Sequence, residues 1–335
     1  MVEADREAER KLILVTGALG FIGSHLVEKL LEQGEKVIAL SKPNPPENNY
    51  HYLVNHPKSS NLRVVLIDVT DYDSLVKLIR EEEIQLVYHL AAIASHRLSI
   101  NEPYKFLRVN YLSVLNMLEA ARACEPSPKI IFASSSSVYG DASPPLREDM
   151  DPKPKGPYAL SKFFGERLCK LYNESYGVEC PIIRYFNVVG ERCRRNIVFR
   201  VFAERIIRGQ PIEVYGRWID GVFKPAERDF TYVSDAVGGT ILVGEKASGS
   251  EIFNLGFGRP ISVLRVAELL MDALGNKVEV VEKELKPHEV LISYSSNEKA
   301  RKLLGWSPRV DIEEMVKRYA EWFLKQYGSS KRVRG

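Results

Sequence analysis

Eight residues near the start of the chain, Thr16-Gly17-Ala18-Leu19-Gly20-Phe21-Ile22-Gly23, restrict the fold more than any other stretch. They join an apolar run, Leu12–Thr16, to an amphipathic stretch, Gly23–Gln33. The spacing is G-x-x-G-x-x-G, one residue longer in its first interval than the G-x-G-x-x-G fingerprint. Glycines permit a tight turn, let the backbone approach a pyrophosphate and let the helix pack closely on the strand. Open N–H groups and the dipole at the helix N-terminus then favour an anion. Between a strand and a helix, this turn predicts dinucleotide binding at Gly17, Gly20, Phe21, Ile22 and Gly23.

The alternation continues through the first half. Runs at Leu12–Thr16, Lys36–Leu40, Leu62–Ile67, Leu86–Leu90, Lys129–Ala133 and Pro181–Tyr185 read as strands. Most are apolar nearly throughout, as strands covered on both faces must be. Amphipathic stretches such as Gly23–Gln33, Ser74–Glu83 and Tyr111–Cys124 lie between them. This pattern predicts an α/β fold, a doubly wound parallel sheet of Rossmann-like type with right-handed crossovers. After residue 187 the rhythm breaks. Helical stretches at Val198–Arg208, Val263–Leu274 and Ile312–Gln326 mix there with short strands and loops. They predict a smaller C-terminal substrate lobe. A length of 335 residues suits two domains. The expected division is 1–186 for the dinucleotide and 187–335 for the substrate, with a strand near 251–255 returning to the sheet. Ser41–Asn61, with four prolines and several Asn, reads as a long loop.

Composition excludes several classes. Lys and Arg number 47 against 44 Asp and Glu, so the net charge is only +3 and no nucleic-acid surface is expected. The basic stretch Lys331-Arg332-Val333-Arg334 reads as a solvated end. Cys124, Cys169, Cys180 and Cys193 have no C-x-x-C spacing, which suggests neither a zinc ribbon nor a disulfide framework. A reducing compartment fits that usage. The six histidines form no H-E-x-x-H set, so no metal site is expected. Met1–Lys11 is too charged for a secretory signal, and no run approaches the ~20 apolar residues of a membrane span. The expected location is the cytoplasm.

The end of the second strand bears on the cofactor. NAD enzymes of this fold place an acid there for the ribose hydroxyls. This chain has Ser41 and Lys42. A cation without a carboxylate suits the 2′-phosphate of NADP, while Ser41 on the ribose with Lys42 in solvent suits NAD. Asp68 could accept from the adenine amino group or cap the next helix, a task Asp71 or Asp73 could also perform.

Tyr158-Ala159-Leu160-Ser161-Lys162 opens a helix, and positions i and i+4 share a face. A unit charge about 4 Å from the phenol, at an effective dielectric of about 20, is worth roughly 4 kcal/mol. That could lower a tyrosine pKa of about 10 by up to about 3 and let Tyr158 exchange a proton at neutral pH. The same spacing at Tyr327 and Lys331 sits beside Gly328-Ser329-Ser330 and reads as accidental. The Tyr158 copy follows Ser134-Ser135-Ser136-Ser137-Val138-Tyr139-Gly140 at the end of the fifth strand. Ligands bind at such strand ends in doubly wound sheets.

At these residues the chain resembles the extended short-chain dehydrogenases/reductases, in the branch acting on nucleotide-diphosphate sugars. The resemblance spans Lys11 to Tyr327. It is carried by the glycine turn, Asp68-Val69, His89-Leu90-Ala91-Ala92, Asn110, the serine run, Tyr158 with Lys162, Arg184-Tyr185-Phe186-Asn187 and Arg228-Asp229-Phe230-Thr231-Tyr232-Val233. It implies that Ser135 partners Tyr158 in catalysis and that Lys162 also holds the nicotinamide ribose. Asp68, Val69, Leu90, Ala91, Ala92, Asn110 and Phe186 would line the cofactor. Ser136 and Asn187 would contact the sugar nucleotide, and Arg228 its diphosphate. A second diphosphate arginine is usual before a Pro-Gly-acid turn. Here Lys286-Pro287-His288-Glu289 offers Lys286, a point charge rather than a fork. Gly216–Glu227 looks longer than usual and reads as a substrate-side loop.

The serine run separates neighbours within the branch. Sugar 4,6-dehydratases carry Asp and Glu at the positions of Ser136 and Ser137, and UDP-glucuronate decarboxylases carry Glu at that of Ser137. Serine alone most resembles the 4-epimerases of UDP-glucose/galactose or UDP-glucuronate. The implied reaction passes through a 4-keto sugar with a tightly bound nicotinamide cofactor, NAD or alternatively NADP. Arg97 could pair with a uronate carboxylate or be a surface arginine. An NADP-dependent 4-keto-sugar reductase is the other reading of Ser41-Lys42. The family often dimerises through two helices per protomer, and the apolar face of Tyr111–Ala123 suits either a homodimer or ordinary core.

Overall fold

The computed structural model describes residues 11–46, 48–286 and 289–328. The basic tail and Lys331 of the second Tyr-x-x-x-Lys spacing lie outside the described residues, as do Met1–Arg10, Pro287 and His288.

The first half alternates as its pattern requires: β1 (Leu12–Thr16), α1 (Phe21–Gln33), β2 (Lys36–Ser41), α2 (Tyr50–Val54), β3 (Leu62–Leu66), α3 (Tyr72–Glu81), β4 (Leu86–His89), α4 (His96–Asn101), α5 (Pro103–Arg122), β5 (Lys129–Ser135), α6 (Pro157–Tyr176) and β6 (Ile182–Tyr185). The second half holds β7 (Asn187–Val189), α7 (Val198–Ile207), β8 (Ile212–Ile219), β9 (Val222–Pro225), β10 (Glu227–Arg228), β11 (Phe230–Tyr232), α8 (Val233–Lys246), β12 (Ile252–Leu255), β13 (Ile261–Ser262), α9 (Val263–Leu274), β14 (Val280–Glu284), β15 (Ile292–Ser293) and α10 (Ile312–Tyr327).

Seven strands form the main sheet in the order β12-β6-β5-β4-β1-β2-β3. β1 pairs in parallel with β2 and with β4, so the order reverses there. This is the switch point of a doubly wound sheet, where strand C-termini leave a crevice for ligand. Leu14, Ile38, Val87, Ile130 and Ile182 project into one cluster and meet Leu75 and Ile79 of α3 and Val114, Met117 and Leu118 of α5. Burying each such side chain stabilises the fold by about 1.5–3 kcal/mol. α1 stops at Gly34, whose φ of 88° suits glycine and whose N–H closes on Leu31. Proline at the first helical position opens α5 and α6, where its missing N–H leaves no bond unmade.

The chain divides into two compact units that interleave in sequence: residues 1–138, 152–184 and 237–253 form unit 1, and 139–151, 185–236 and 254–335 form unit 2.

Three local expectations need correction. α5 starts at Pro103 rather than Tyr111, because exposed residues such as Tyr104 hide the helical period of its first turns. The expected loop Ser41–Asn61 contains α2 and a 3₁₀ turn at Ser59–Asn61. Gly216–Glu227 is no loop: β8 and β9 pair antiparallel from Gly216↔Pro225 to Ile219↔Val222. Asp220 and Gly221 turn this ribbon, both at positive φ (51° and 76°), the Asp-Gly signature of a tight hairpin. Cys169 and Cys180 also meet, Sγ to Sγ at 2.8 Å, as buried free thiols, a contact their spacing did not disclose.

Candidate active site

In unit 1 the glycine turn closes tightly on its neighbours. Gly17 has φ +68°, and a Cβ there would lie 2.9 Å from Ala91 N. A Cβ on Gly23 would lie 2.2 Å from Gly17 O. Gly20 caps α1 without a side chain, and the first turn holds no acid. The helix therefore offers N–H donors and a positive dipole end with no built-in anion. This is the chemistry a pyrophosphate needs, so the cradle fits a dinucleotide. Asn49, from the segment read as loop, latches the turn: its side-chain amide donates to Leu19 O (3.1 Å) and Gly20 O (3.3 Å).

At the end of β2, Ser41 is buried and Lys42 exposed, and Ser41 O accepts from Ile67 N–H at 2.9 Å. Asp68 is exposed and accepts from the N–H and hydroxyl of Thr70. Asp71 caps α3 by accepting from Ser74 N–H, so that task does not fall to Asp68. Val69 is core, and its carbonyl accepts from Asn116.

The loop after β4 is fixed by a relay of hydrogen bonds. Ala91 N–H donates to Thr16 Oγ1 (3.1 Å), which stands 2.9 Å from His89 Nδ1, and His89 Nε2 stands 3.3 Å from Ser113 Oγ. Ser113 Oγ–H is committed to Asn110 O at 3.1 Å. One proton per hydroxyl assigns the histidine tautomer: Thr16 donates to Nδ1, and Nε2–H donates to Ser113. Burial, assisted by the Lys162 charge, pulls the His89 pKa down to about 3, so the ring is neutral. Asn110 completes the clamp. Its oxygen accepts from Ile93 N–H (2.8 Å), and its amide donates to Ile93 O (3.0 Å) and Ser161 Oγ (2.9 Å). Ser161 in turn donates to Tyr158 O. Leu90, Ala91 and Ala92 are thus half-buried residues of a held loop.

Tyr158 and Lys162 occupy the first turns of α6. Lys162 is 4% exposed; its ammonium donates to Ala133 O at 2.7 Å and lies 5.1 Å above the Phe132 ring. Tyr158 is half-buried, with Phe106 edge-on at 6.5 Å. Ser135, at the end of β5, accepts from both the N–H (3.2 Å) and the hydroxyl (3.0 Å) of Ser137. With its lone pairs engaged, the Ser135 hydroxyl is left as a donor. Ser136 is half-buried, and Arg97 is an exposed residue of α4. Beneath them, Glu166 binds Ser134 Oγ (2.6 Å) and takes a two-pronged ion pair from Arg184 (2.9 and 2.7 Å), all fully buried.

Unit 2 carries the residues expected on the substrate side. Phe186 is buried beside Tyr139, whose hydroxyl donates to Asn254 at 2.7 Å. Asn187 is exposed, and its amide donates to Asp229 O at 3.2 Å. Arg228 is half-buried and donates through Nη1 to Glu227 O (2.8 Å) and Leu291 O (3.0 Å). Burial lowers its pKa from the ordinary arginine value, with Glu289 opposing. The wholly buried Asp229 carboxylate accepts from the N–H groups of Phe257, Gly258 and Ser295 and from the Ser295 hydroxyl. Lys286 is exposed, and its backbone N–H donates to Glu289.

The family described as GDP-mannose 4,6 dehydratase matches residues 14–319. The chain belongs to it, within the nucleotide-sugar branch of the extended short-chain dehydrogenases/reductases. UDP-glucuronate 4-epimerase of Thermodesulfobacterium geofontis is 35% identical over 314 residues, 92% of this chain and 95% of that protein. The structure of a Thermotoga maritima UDP-glucose 4-epimerase with UDP-glucose superposes with a TM-score of 0.85 at 32% identity, covering 94% of this chain and 99% of that one. A Bacillus cereus UDP-glucuronic acid 4-epimerase with UDP-glucuronic acid and NAD gives 0.85 at 30%, covering 94% and 100%.

The sequence motifs pointed to Tyr158, Lys162 and Ser135 as candidates but not to the groups that hold them in place. The i, i+4 spacing that pairs Tyr158 with Lys162 also puts Glu166 on that helix face, and an arginine inside the apolar run of β6 was the sign of its partner. Asn49 had no such sign, since only the folded turn shows what its amide reaches.

Proposed function

We propose that the chain is an NAD-dependent UDP-sugar 4-epimerase that inverts C4 of a UDP-hexose, UDP-glucose/galactose or UDP-glucuronate, without net oxidation. The observation that carries this is the end of β5: residues 133–140 contain no carboxylate, and Ser135 and Ser137 are bonded to each other. The matching family is described by a dehydration, but that reaction needs an acid and a base at neighbouring carbons, and this segment supplies neither.

Bound NAD supplies reversible hydride acceptance at C4. Tyr158 Oη removes the proton of the 4-hydroxyl and later returns it. The fixed Lys162 ammonium favours the phenolate. Ser135 donates to O4 as its charge changes, an electrostatic role. By the family resemblance, the loop held by Asn110 and His89 in unit 1, and Phe186 in unit 2, would serve the nicotinamide, while Ser136 of unit 1 and Asn187 and Arg228 of unit 2 would serve the sugar nucleotide. Because the cofactor is regenerated within each cycle, tight binding fits better than exchange.

The named relatives include enzymes for both a neutral hexose and a uronate. Arg97 is the chain's own candidate for a carboxylate. We further place the enzyme in the cytoplasm; among the described residues no helix is long and apolar enough to cross a membrane. We assign it as a homodimer through α5 and α6, where Phe164 and Leu171, two turns apart on α6, are exposed. Light scattering would show twice the chain mass.

Incubation with UDP-galactose, UDP-glucose and UDP-glucuronate, with NAD and then NADP, followed by proton NMR, tests the reading. A C4 epimer without accumulated reduced cofactor supports it and names the sugar. Steady NADPH consumption with a 4-keto sugar would instead make the enzyme a reductase and give Lys42 the 2′-phosphate.

A further inference from the structure

We infer that Arg217, carried by the β8–β9 ribbon, is a second guanidinium for the diphosphate of the nucleotide sugar. The inference rests on the UDP-sugar reading above.

β14 accompanies β8 only as far as Glu284↔Gly216, and Leu285 N–H closes that register on Gly216 O. Residues 217–224 therefore project beyond β14 as two strands. A two-stranded ribbon is marginal alone. One face of this one is braced by Trp218 and Phe223, 5.4 Å apart, with Phe223 lying over Gly216, where a Cβ would come within 2.6 Å of its ring. Side chains alternate along a strand, so Arg217 and its cross-strand neighbour Lys224 occupy the opposite face.

Arg217 Nη2 donates to Glu289 O at 3.1 Å, and Nη1 stands 3.5 Å from Glu284 Oε1. Arg228 Nη1 donates to Leu291 O at 3.0 Å. Two guanidinium groups thus grip carbonyls two residues apart, at most about 7 Å along the chain. Among the described residues, Nε and Nη2 of Arg228 and Nε of Arg217 meet no acceptor. Arg228 is anchored through Nη1 and open along its Nε–Nη2 edge, whereas Arg217 is anchored through Nη2, with Nε open and Nη1 only on the long contact to Glu284; a guanidinium with donors to spare suits phosphate recognition. The long contact from Arg217 to the exposed Glu284 is a weak tether that a doubly charged diphosphate outcompetes. Lys286 begins the same turn, in which Glu289 N–H donates to Lys286 O at 2.9 Å, but it brings a point charge without a fork.

The test is calorimetric titration of uridine diphosphate, and separately of uridine, into the NAD-loaded wild type, Arg217→Gln, Arg217→Lys and Lys286→Gln. Uridine lacks phosphate, so loss of a merely structural ribbon would weaken both ligands alike. Arg217→Gln is expected to weaken uridine diphosphate about tenfold and uridine less than about twofold, with the kinetic loss in KM rather than kcat. Arg217→Lys should retain part of the affinity, and Lys286→Gln should lose less than Arg217→Gln. Equal losses for both ligands, or a larger loss in Lys286→Gln, would overturn the assignment. So would a wild type that binds uridine diphosphate alongside an Arg217→Gln variant that binds it equally well. A wild type that binds no uridine diphosphate would overturn the UDP-sugar reading itself.

Discussion

The surroundings of Lys162 and of Arg228 are built on opposite terms. Around Lys162 the polar groups are buried and committed: the ammonium to Ala133 O, His89 to Thr16 and Ser113, and Glu166 to Arg184 and Ser134. Around Arg228 the guanidinium is half engaged, Asn187 is exposed, and the neighbouring ribbon stands clear of its sheet. The first arrangement suits a transition state, because donors fixed in a dry site need no reorganisation as charge moves. The second suits ligand capture, where open donors close on an anion that arrives and leaves. Catalysis should therefore fail when the first region is altered, and affinity when the second is.

Four variants sharpen that contrast. Tyr158→Phe should lower epimerisation about 10³-fold or more while uridine diphosphate still binds, measured by NMR rates and calorimetry. Normal turnover would remove Tyr158 from the proton transfer. Glu166→Gln leaves Arg184 as a buried charge without its full partner, and should destabilise by about 3–5 kcal/mol in urea unfolding. Replacing both by Met should recover most of that, since a buried ion pair and an apolar pair of similar volume are often comparable. Gly23→Ala forces a Cβ against Gly17 O, an overpacking of about 1–3 kcal/mol read as weaker NAD binding.

The smallest effect concerns pH. His89 has a folded pKa of about 3 against 6.5 unfolded, so between those values the unfolded chain binds a proton that the folded chain refuses. Stability from this group is full above pH 6.5 and falls as pH drops, by about 1.4 kcal/mol per pH unit. His89→Gln should flatten that slope in urea titrations at pH 5 and 6.5. An unchanged slope would show that the ring takes up its proton as readily in the fold as in the unfolded chain.

How much of this the sequence disclosed follows the same division. The sheet was legible because apolar runs and helical periods are local signals, and β1 through β6 lie within a few residues of where they were expected. The placement of Tyr158 and Lys162 on the first turns of one helix, and the tight glycine turn before α1, were legible because both depend on short spacings. The Glu166–Arg184 pair left a trace, a carboxylate on the Tyr158–Lys162 face and an arginine inside an apolar strand, but the Asn49 latch and the Cys169–Cys180 contact join residues whose proximity only the folded chain creates. Lys286 was named from a turn pattern, whereas Arg217 reaches that turn through a ribbon whose Asp220-Gly221 hairpin signal went unread as such.

The most direct measurement is the reaction in deuterium oxide, followed by proton NMR. An epimerase working through Tyr158 and an internally returned hydride should invert C4 while keeping hydrogen at C4, C5 and C6, with no net change in the cofactor. Deuterium at C5 or C6, or a 6-deoxy product, would mean that the serine-only end of β5 does not forbid dehydration, and would contradict the proposed reaction.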